Sequence, residues 1–458
     1  MIFLFFFVLL LSVDIFARDE FLNTCINIAI QKNKKILSKE QEVELAKRQL
    51  WVTTRSFLPN IYFQRRYSRG RTIDHGDYQA EDIGLKLSQP LYDGGRITAT
   101  HKYQSYALEV AKLDYTKLKE ELIYNIKLAY YEYLSSVLEV QETEKMLDYI
   151  KTYYEKIEKE FAAKAVSDIE LEEGKIFKQK VENIFEKAKK NKKFSEEKLV
   201  KLIGIRSLED IIFPAPLELF EDVPKEIDFT LEQLQNLLLT NNLDLRKLKL
   251  QMDMAKERKK MAVGKIYPKF YFDGTYGQSG EAFVTEPLQL TTVWSGMLRL
   301  SWLFGGSSVE SSYQQDKSIP REILDTSARI ENTILDTKIG LFDDIKYFVE
   351  KKESDVLEVS SEAEYEETKN IAMLELEKFY NEYYYSLLDA RTSSADLKFK
   401  KWRLEVLKSK NALYEVPTVE VMNGIYQVSD AVLTYSKSVF QNYTAVTELE
   451  RLVLIPLR

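Results

Sequence analysis

Cysteine and histidine are almost absent from this chain of 458 residues. There is one cysteine, Cys25, and there are two histidines, His75 and His101. A single cysteine excludes a disulfide framework and a cysteine-based metal site. Neither histidine lies near a nucleophile or a group of metal ligands, and residues 259–265 lack the spacing of a phosphate-binding P-loop. We therefore expect no catalytic, cofactor-binding or metal-binding residues, and no enzyme activity.

Long apolar runs are also missing beyond the N-terminus. No stretch of 18 or more apolar residues follows residue 17, so no membrane-spanning helix is predicted for the mature chain. Residues 1–17 resemble a secretory signal peptide with cleavage near Ala17, although the usual positively charged start is missing. A buried helix is the alternative. The net charge of −7 gives no reason to expect nucleic-acid binding.

Cys25 has two interpretations. Residues 22–25 loosely resemble a lipid-attachment motif, but the charged residues 18–20 separate this cysteine from the apolar run. Cys25 also fits one helix face together with the apolar residues Leu22, Ile26 and Ala29. This spacing favours a residue in the core of a helical bundle.

Proline is scarce, and its placement predicts where the helices lie. None of the ten prolines falls within 91–213 or 321–416. Proline in a helix interior costs about 3 kcal/mol, so these gaps are typical of long helices. In the first gap, apolar residues recur mostly at spacings of three and four: Leu122, Ile126, Ala129, Tyr133, Val137, Val140 and Leu147. We predict coiled-coil helices that reverse near 163–168 and near 414–418.

The chain contains a tandem duplication. Pro59 and Pro268 open similar strand segments 209 positions apart, and the closing pairs, Gly94-Gly95 and Gly305-Gly306, are 211 apart. A repeat of this length indicates two copies of one structural unit. Here each copy is a β-hairpin followed by a long helical hairpin.

The repeat sets the predicted boundaries. The first repeat covers 18–204 with its β-hairpin at 58–92, a linker covers 205–228, and the second repeat covers 229–458 with its β-hairpin at 268–304. Each repeat opens with a helix, at about 20–56 and 229–265. The second repeat is almost forty residues longer between its glycine pair and Tyr380, which predicts an insertion within 310–375.

The four predicted strands alternate between apolar and polar residues. In 294–302, the apolar side carries Trp294, Leu298, Leu300 and Trp302, and the other side carries Met297, Arg299 and Ser301. This pattern fits a soluble sheet on a core or a membrane barrel with a polar lumen. The tryptophans favour the barrel, because eight strand residues span about 26 Å and place both near the edges of an apolar band about 25 Å tall.

Four strands cannot close a barrel alone, because bacterial barrels have at least about eight. An open edge in lipid leaves unpaired backbone groups, which cost several kcal/mol each. Two copies would give eight strands, and three would give twelve. About seventy residues lie between Gly95 and the predicted reversal near 163–168, which corresponds to roughly 105 Å of helix. Such helices around a barrel axis would form a passage rather than a catalytic pocket.

Several segments resemble the TolC family of outer-membrane efflux proteins. They are Phe57-Leu58-Pro59, Leu87 to Gly95, Ala129-Tyr130-Tyr131, Asn242 to Arg246, and Tyr443 to Glu450. The resemblance implies an α+β membrane protein, a homotrimer with a 12-stranded β-barrel and a periplasmic α-barrel. It also implies a periplasmic adaptor protein and an inner-membrane transporter as partners, contact with outer-membrane lipid, and no nucleic acid.

The resemblance further implies residues at the periplasmic entrance. Glu420 matches the first acid of the family's inner hairpin tip, but Asn423 stands where a second acid would be. Ser167 and Asp168 match residues of the outer tip that help to latch the closed state. Val416 replaces an arginine that family members use in that latch, so the same latch is not expected. A solvated acid at a helix start is the alternative role for Glu420 and Asp168.

The strand ending of the second repeat also departs from the family pattern. Leu303-Phe304-Gly305-Gly306 lacks the proline and aspartate of the first copy, which allows a local change at the strand exit.

We therefore expect an outer-membrane exit duct of a tripartite efflux or type I secretion system, exporting small molecules or proteins. Its expected location is the outer membrane, with a periplasmic extension. The alternative is a periplasmic or secreted coiled-coil scaffold whose hairpins form a small soluble sheet. Trp294 and Trp302, as membrane-interface residues, favour the duct.

Overall fold

The computed structural model describes residues 22–72, 76–208, 223–318 and 330–457, which form long helices and one antiparallel sheet. The predicted signal peptide and His75 lie outside the described residues, as do residues 209–222 of the predicted linker.

The helices are α1 at 22–32, α2 at Lys34–Arg55, α3 at Arg96–Ala162, α4 at Asp168–Ile203, α5 at Leu231–Asn241, α6 at Leu243–Val263, α7 at Lys346–Ala412 and α8 at Thr418–Val453. The helices α3 and α4 lie in the first proline-free gap and α7 lies in the second. The helix α8 follows Pro417, and the other four of these helices lie ahead of the β-hairpins.

The single helix expected ahead of each hairpin is two helices. Asn33 and Asn242, again 209 positions apart, separate them. The Asn33 side chain accepts hydrogen bonds from the amides of Lys35 and Ile36 (2.9 and 3.3 Å). Asn242 accepts from Asp244 and Leu245 (3.0 and 3.1 Å). An asparagine that satisfies the first amides of a new helix favours a break at its own position.

The sheet has six strands, so the expectation of four strands per chain is wrong. The strands are β1 at Asn60–Thr72, β2 at Gly76–Tyr92, β3 at Lys269–Phe283, β4 at Thr291–Phe304, β5 at Ser307–Ser318 and β6 at Ile330–Gly340. They are antiparallel neighbours in the order β1-β2-β3-β4-β5-β6. The twelve-strand count for a trimer rested on four strands per chain.

The second glycine pair explains the two additional strands. Phe304 pairs with Ser307, so Gly305 and Gly306 form a two-residue hairpin loop between β4 and β5. Both have positive φ (57° and 80°), as a type I′ turn requires. In the first repeat, Asp93 instead accepts a hydrogen bond from the Ile97 amide (2.5 Å) at the start of α3. The second repeat lacks this aspartate after β4, and there the chain turns back to form the strand β5 instead of starting a helix.

The strand-to-helix exit of the first repeat has its counterpart after β6. Residues 341–343 read Leu-Phe-Asp ahead of α7, as residues 91–93 read Leu-Tyr-Asp ahead of α3. Both ascending helices have 67 residues and both returning helices have 36. The ascending helix of the second repeat is therefore no longer than that of the first, and its additional residues belong to the segment that contains β5 and β6.

The chain divides into two compact units. One contains the described residues up to Glu40 together with Asp114–Arg246 and those from Thr368 onward. The other contains Gln41–Leu113 and Lys247–Glu367, and it includes the sheet.

The helical unit has matching cores in the two repeats. In the first, α1 packs against α3 and α4 through Cys25, Ala29, Ile126, Tyr130, Leu199 and Ile203. In the second, α5 packs against α7 and α8 through Leu234, Leu238, Leu376, Leu387 and Leu449. Burying such side chains contributes about 1.5–3 kcal/mol each, so these contacts stabilise helices whose other faces are charged.

Candidate functional site: a two-faced sheet and paired helical tips

One side of the sheet carries apolar residues on each of the six strands, and we call it the apolar face. The strand registers place on it Ile61, Phe63, Leu85, Leu87, Phe270, Phe272, Trp294, Leu298, Leu300, Trp302, Val309, Tyr313, Leu335 and Ile339. Many of these side chains are exposed, with Leu298 at 53% and Leu335 at 74%. The charged residues of this face, among them Arg65, Glu81, Lys317 and Glu331, lie towards the strand ends farthest from the helices. An exposed apolar surface of this kind is typical of a face that contacts lipid or another protein.

The opposite side, the polar face, carries hydrogen-bonded and charged residues. Asp273 on β3 accepts hydrogen bonds from the Ser88 hydroxyl (2.5 Å) and from the Arg299 guanidinium (3.0 Å). Arg299 also lies over the Tyr271 ring, 5.1 Å from its centre. These contacts join β2, β3 and β4 by side chains that prefer water or one another to an apolar environment.

Trp294 and Trp302 lie eight residues apart on the apolar face. Trp294 pairs with Tyr276 and Lys317 on the adjacent strands. Trp302 lies near the ends of the strands that lead into the helices, and its indole nitrogen donates a hydrogen bond to the Ile266 carbonyl (3.0 Å). Both rings are partly exposed. An indole with one hydrogen-bonded edge and one bare face is typical of an interface between apolar and polar surroundings.

The two helical hairpins reverse through the same turn. Lys164 and Tyr414 both have positive φ (58° and 62°). The next amide donates to a carbonyl five residues back in each, from Ala165 to Glu160 (2.8 Å) and from Glu415 to Lys410 (3.0 Å). This bond ends a helix in the Schellman manner, so the tips of the two repeats have equivalent geometry.

The predicted entrance residues lie on the exposed surface of these tips. Ser167 caps α4 and accepts a hydrogen bond from the Glu170 amide (3.3 Å), and Asp168 follows in the first turn. Glu420 lies in the first turn of α8, where Pro417 is the capping residue and makes no side-chain cap. Asn423 is exposed one turn later. No hydrogen bond or ion pair between the two described tips joins these four side chains to one another.

A buried polar network that the sequence analysis missed joins the tips. Asn411 donates to the Val416 carbonyl (2.9 Å) and to the Thr418 hydroxyl (3.2 Å). The Asn411 carbonyl oxygen accepts from Lys156 of the other hairpin (2.6 Å), and the Thr418 hydroxyl donates to Glu160 (3.2 Å). Asn411 and Thr418 are 6% and 2% exposed. Removing one member therefore leaves buried partners unsatisfied.

A sequence signal for this network exists. Leu404 and Leu407 begin an apolar stripe on α7, and Asn411 occupies the next position at helical spacing. A polar residue in a core-facing stripe needs a buried partner. What the sequence could not supply was the identity of that partner, since Lys156 lies 255 positions away.

Apolar packing surrounds the network. Met146, Ile150 and Ile157 of α3 share one core with Val421 and Met422 of α8. In α8, a Cβ at Gly424 would lie 3.0 and 3.1 Å from the side chains of Leu407 and Leu404. The small residue permits this close approach.

A second contact between the repeats involves the closing segment of the chain. The Tyr124 hydroxyl donates a hydrogen bond to Glu448, Lys127 pairs with Glu450 (3.0 Å), and the rings of Tyr131 and Tyr443 stack with centres 5.3 Å apart. Burial, followed by the neighbouring Glu448, raises the pKa of Tyr124. These residues join α3 to α8 within the helical unit.

Cys25 is buried in the core of the first repeat, with 1% of its surface exposed. Burial raises the pKa of its thiol to about 11. We expect maleimide to label Cys25 at pH 8 at least about a hundredfold more slowly in the native protein than in denaturant, because only the accessible thiolate reacts. Rapid native labelling would contradict the core assignment. No labelling even in denaturant would indicate a lipid-modified sulfur.

His101 is the one histidine within the described ranges of the chain. His101 lies edge-on against the Phe57 ring, with centres 5.7 Å apart. Within these ranges, no three His, Cys, Asp or Glu residues are grouped to hold a metal ion. None of the helices described is both long and apolar enough to cross a membrane.

Comparison with known proteins finds a family match in the first repeat. Residues 25–204 match the family model "Outer membrane efflux protein". A stretch of 149 residues is 20% identical to the alkaline protease secretion protein AprF of Pseudomonas aeruginosa. That stretch covers 32% of this chain and 31% of AprF, so less than a third of the relative's length is matched.

Solved structures match nearly the whole chain. A membrane protein from Pseudomonas aeruginosa superposes with a TM-score of 0.72 at 15% identity, covering 94% of this chain and 90% of its own. The outer membrane protein VceC of Vibrio cholerae superposes with a TM-score of 0.72 at 11% identity, covering 95% of this chain and 97% of its own. At these identities the likeness establishes the fold. The resemblance to the TolC family of outer-membrane efflux proteins, predicted from the sequence motifs, is confirmed by the family match over residues 25–204 and by this fold.

Proposed function

We propose that this protein is an outer-membrane exit duct of a tripartite efflux or type I secretion system. The observation that carries the proposal is the sheet, which has one apolar and one polar face and two open edges. A sheet with this pattern needs lipid on one side, water on the other, and a further strand at each edge. A multimeric β-barrel meets all three needs.

The apolar face supplies the lipid contact. Leu298, Leu300 and Phe272 lie between Trp294 and Trp302, which we assign to the two membrane interfaces. The polar face, with Asp273 and Arg299, lines the passage. Because such a passage offers side chains for ions and solutes but no reactive centre, the protein acts as a conduit and not as an enzyme.

The resemblance to the TolC family extends the proposal to location and partners. We infer a homotrimer in the outer membrane with its long helices in the periplasm. A periplasmic adaptor protein and an inner-membrane transporter would complete the export path. AprF is named as a secretion protein, and VceC as an outer membrane protein. The first description agrees with secretion and the second with the outer membrane, and neither specifies the cargo of this chain.

Fractionation with a mass measurement tests this proposal. We expect the protein in the outer-membrane fraction, released only by detergent, with the mass of three copies. A coiled-coil scaffold would instead appear in the soluble fraction without detergent. A stable detergent-solubilised monomer would contradict the barrel, since one sheet cannot satisfy its own edges.

We also propose that the helical tips form the periplasmic entrance. Threefold symmetry would bring three copies of the α8 tip, with Glu420 and Asn423, towards the axis. Ser167 and Asp168 at the α4 tip would border the same opening. Glu420 is exposed and at a helix start, where the helix dipole favours a carboxylate. A ring of such carboxylates attracts cations.

Glu420→Gln should therefore lower cation selectivity in single-channel recordings while trimer stability changes little. Asn423 contributes no charge, so this substitution removes the acid of the first turn of α8, while Glu415 in the preceding turn keeps its charge. Asp430→Asn, which removes an exposed acid farther along the same helix, is the matched control and should have a smaller effect. Unchanged selectivity in a folded, conducting Glu420 variant would leave Glu420 as a helix-start acid only.

A further inference from the structure

The edge strands β1 and β6 each have a strand partner on one side only within the described chain. We propose that β6 of one copy pairs with β1 of the next, so that three copies close a barrel of eighteen strands. The inference rests on the proposed function and specifies the interface between copies. It makes the β5–β6 hairpin part of the membrane wall.

The hairpin has the same two-faced pattern as the rest of the sheet. On the apolar face, Val309 pairs with Ile339, and Tyr313 pairs with Leu335. Cross-strand apolar pairs would stabilise the hairpin in water too. Their alignment with Trp302 and Leu298 of β4, however, extends one exposed apolar surface across the sheet, which lipid would cover and water would not.

Most polar groups on the apolar face of the hairpin have a polar partner, and Gln315, opposite Thr333, donates a hydrogen bond to the Tyr313 hydroxyl (2.8 Å). Ser311 and Thr337 face each other with their hydroxyl oxygens 3.1 Å apart. Lys317 and Glu331 are 3.8 Å apart, at the strand ends farthest from the helices. Paired hydroxyls and a charge pair near the strand ends are compatible with a lipid-facing surface, whereas unpaired ones are costly.

The polar side of the hairpin continues the polar face. Glu310 lies opposite Lys338, and Ser312 lies opposite Asp336. Neighbouring Ser301 and Arg299 of β4 lie on the same side. These residues would line the passage together.

The two edges are complementary in length and charge. β1 has 13 residues and β6 has 11. The charged residues of β1 are all basic, Arg65, Arg66, Arg69 and Arg71, while β6 carries Glu331, Asp336 and one base, Lys338. Opposite charges on facing strands favour pairing and oppose the contact of two β1 edges.

The register across the sheet is compatible with closure. Paired residues lead from Ile61 on β1, strand by strand, to Thr333 on β6. Placing Ile339 beside Ile61 of the next copy keeps the strand ends that lead to the helices level. This stagger of about six residues over six strands corresponds to a strand tilt of about 35°, which lies in the barrel range.

The additional strands would widen the passage. At equal tilt, barrel diameter grows roughly in proportion to strand number, so eighteen strands give a barrel about one and a half times as wide as twelve.

Cysteine crosslinking tests the interface in the full-length protein. In a Cys25→Ser background, one variant carries Ile61→Cys with Ile339→Cys. A second carries Ile61→Cys with Trp302→Cys, which would meet if β4 were the edge in the barrel. Paired strands bring Cα atoms to about 4.5–5.5 Å, within the range of a disulfide. Ser311→Cys with Thr337→Cys is the control for the hairpin and should crosslink within one chain.

After copper–phenanthroline oxidation of the detergent-solubilised protein, we expect two- and three-chain bands only from the Ile61 and Ile339 pair. A ladder from the Ile61 and Trp302 pair would overturn the proposal and indicate twelve strands. A ladder that ends at two chains would overturn it as well, as would no ladder from either pair when the hairpin control forms and the complex keeps its mass. Channel currents are measured in parallel. If they persist while β6 fails to crosslink, this interface alone is wrong, and the proposed duct stands.

Discussion

Leu298→Arg should prevent most of the protein from assembling in the outer membrane. Leu298 lies at the middle of the apolar face on β4, between the two tryptophans, and pairs with Phe272 and Tyr313. An arginine facing lipid near the bilayer midplane costs about 2–4 kcal/mol per copy. Each chain of the assembly bears this cost. The measurement is the fraction of protein recovered as a detergent-stable multimer.

Ser301→Arg is the matched control on the same strand. Ser301 is on the polar face, opposite Lys269 and Glu310. An arginine there would enter the aqueous passage next to an acid, so assembly should be close to normal while the conductance changes. Equal loss of assembly in both variants would show that the two faces are wrongly assigned.

Asn411→Ala should loosen the helical tips and increase the time that the channel spends open. The substitution removes both donors of the Asn411 amide and the oxygen that holds Lys156. Leaving buried partners unsatisfied costs about 1–3 kcal/mol. The two hairpins would then separate more easily, provided that the tips form the gate. Single-channel recordings measure the open fraction, and thermal unfolding measures the loss of stability.

Lys410→Ala is the neighbouring control, because Lys410 is exposed and its backbone carbonyl still accepts the turn hydrogen bond from Glu415. The Lys410→Ala substitution should change neither the open fraction of the channel nor its thermal stability. A lower melting temperature for Asn411→Ala without any change in open time would restrict the network to a structural role.

The sequence was most informative where backbone chemistry restricts the choice. Segments without proline predicted α3, α4, α7 and α8, and the glycine pairs marked positions where positive φ is required. The alternation in 294–302 predicted the faces of β4. These signals depend on neighbours in the chain, which is why one sequence suffices to read them.

The missed features depend on context that the sequence leaves open. Gly305-Gly306 resembles the strand exit at Gly94-Gly95, although a glycine pair serves equally as a type I′ hairpin turn. The extra length of the second repeat predicts an insertion within 310–375 but does not by itself indicate the strands β5 and β6. Asn411 required a partner from another repeat, and only the packing of the tips supplied it.

Current across a planar lipid bilayer tests the central claim most directly. Purified full-length protein added to one side should insert and produce discrete, long-lived steps in ion current. These steps should be absent when Leu298→Arg protein is added at the same concentration. Stepwise currents of this kind would establish a passage through the membrane. Purified, folded multimers that leave the bilayer silent would contradict the duct and favour a scaffold.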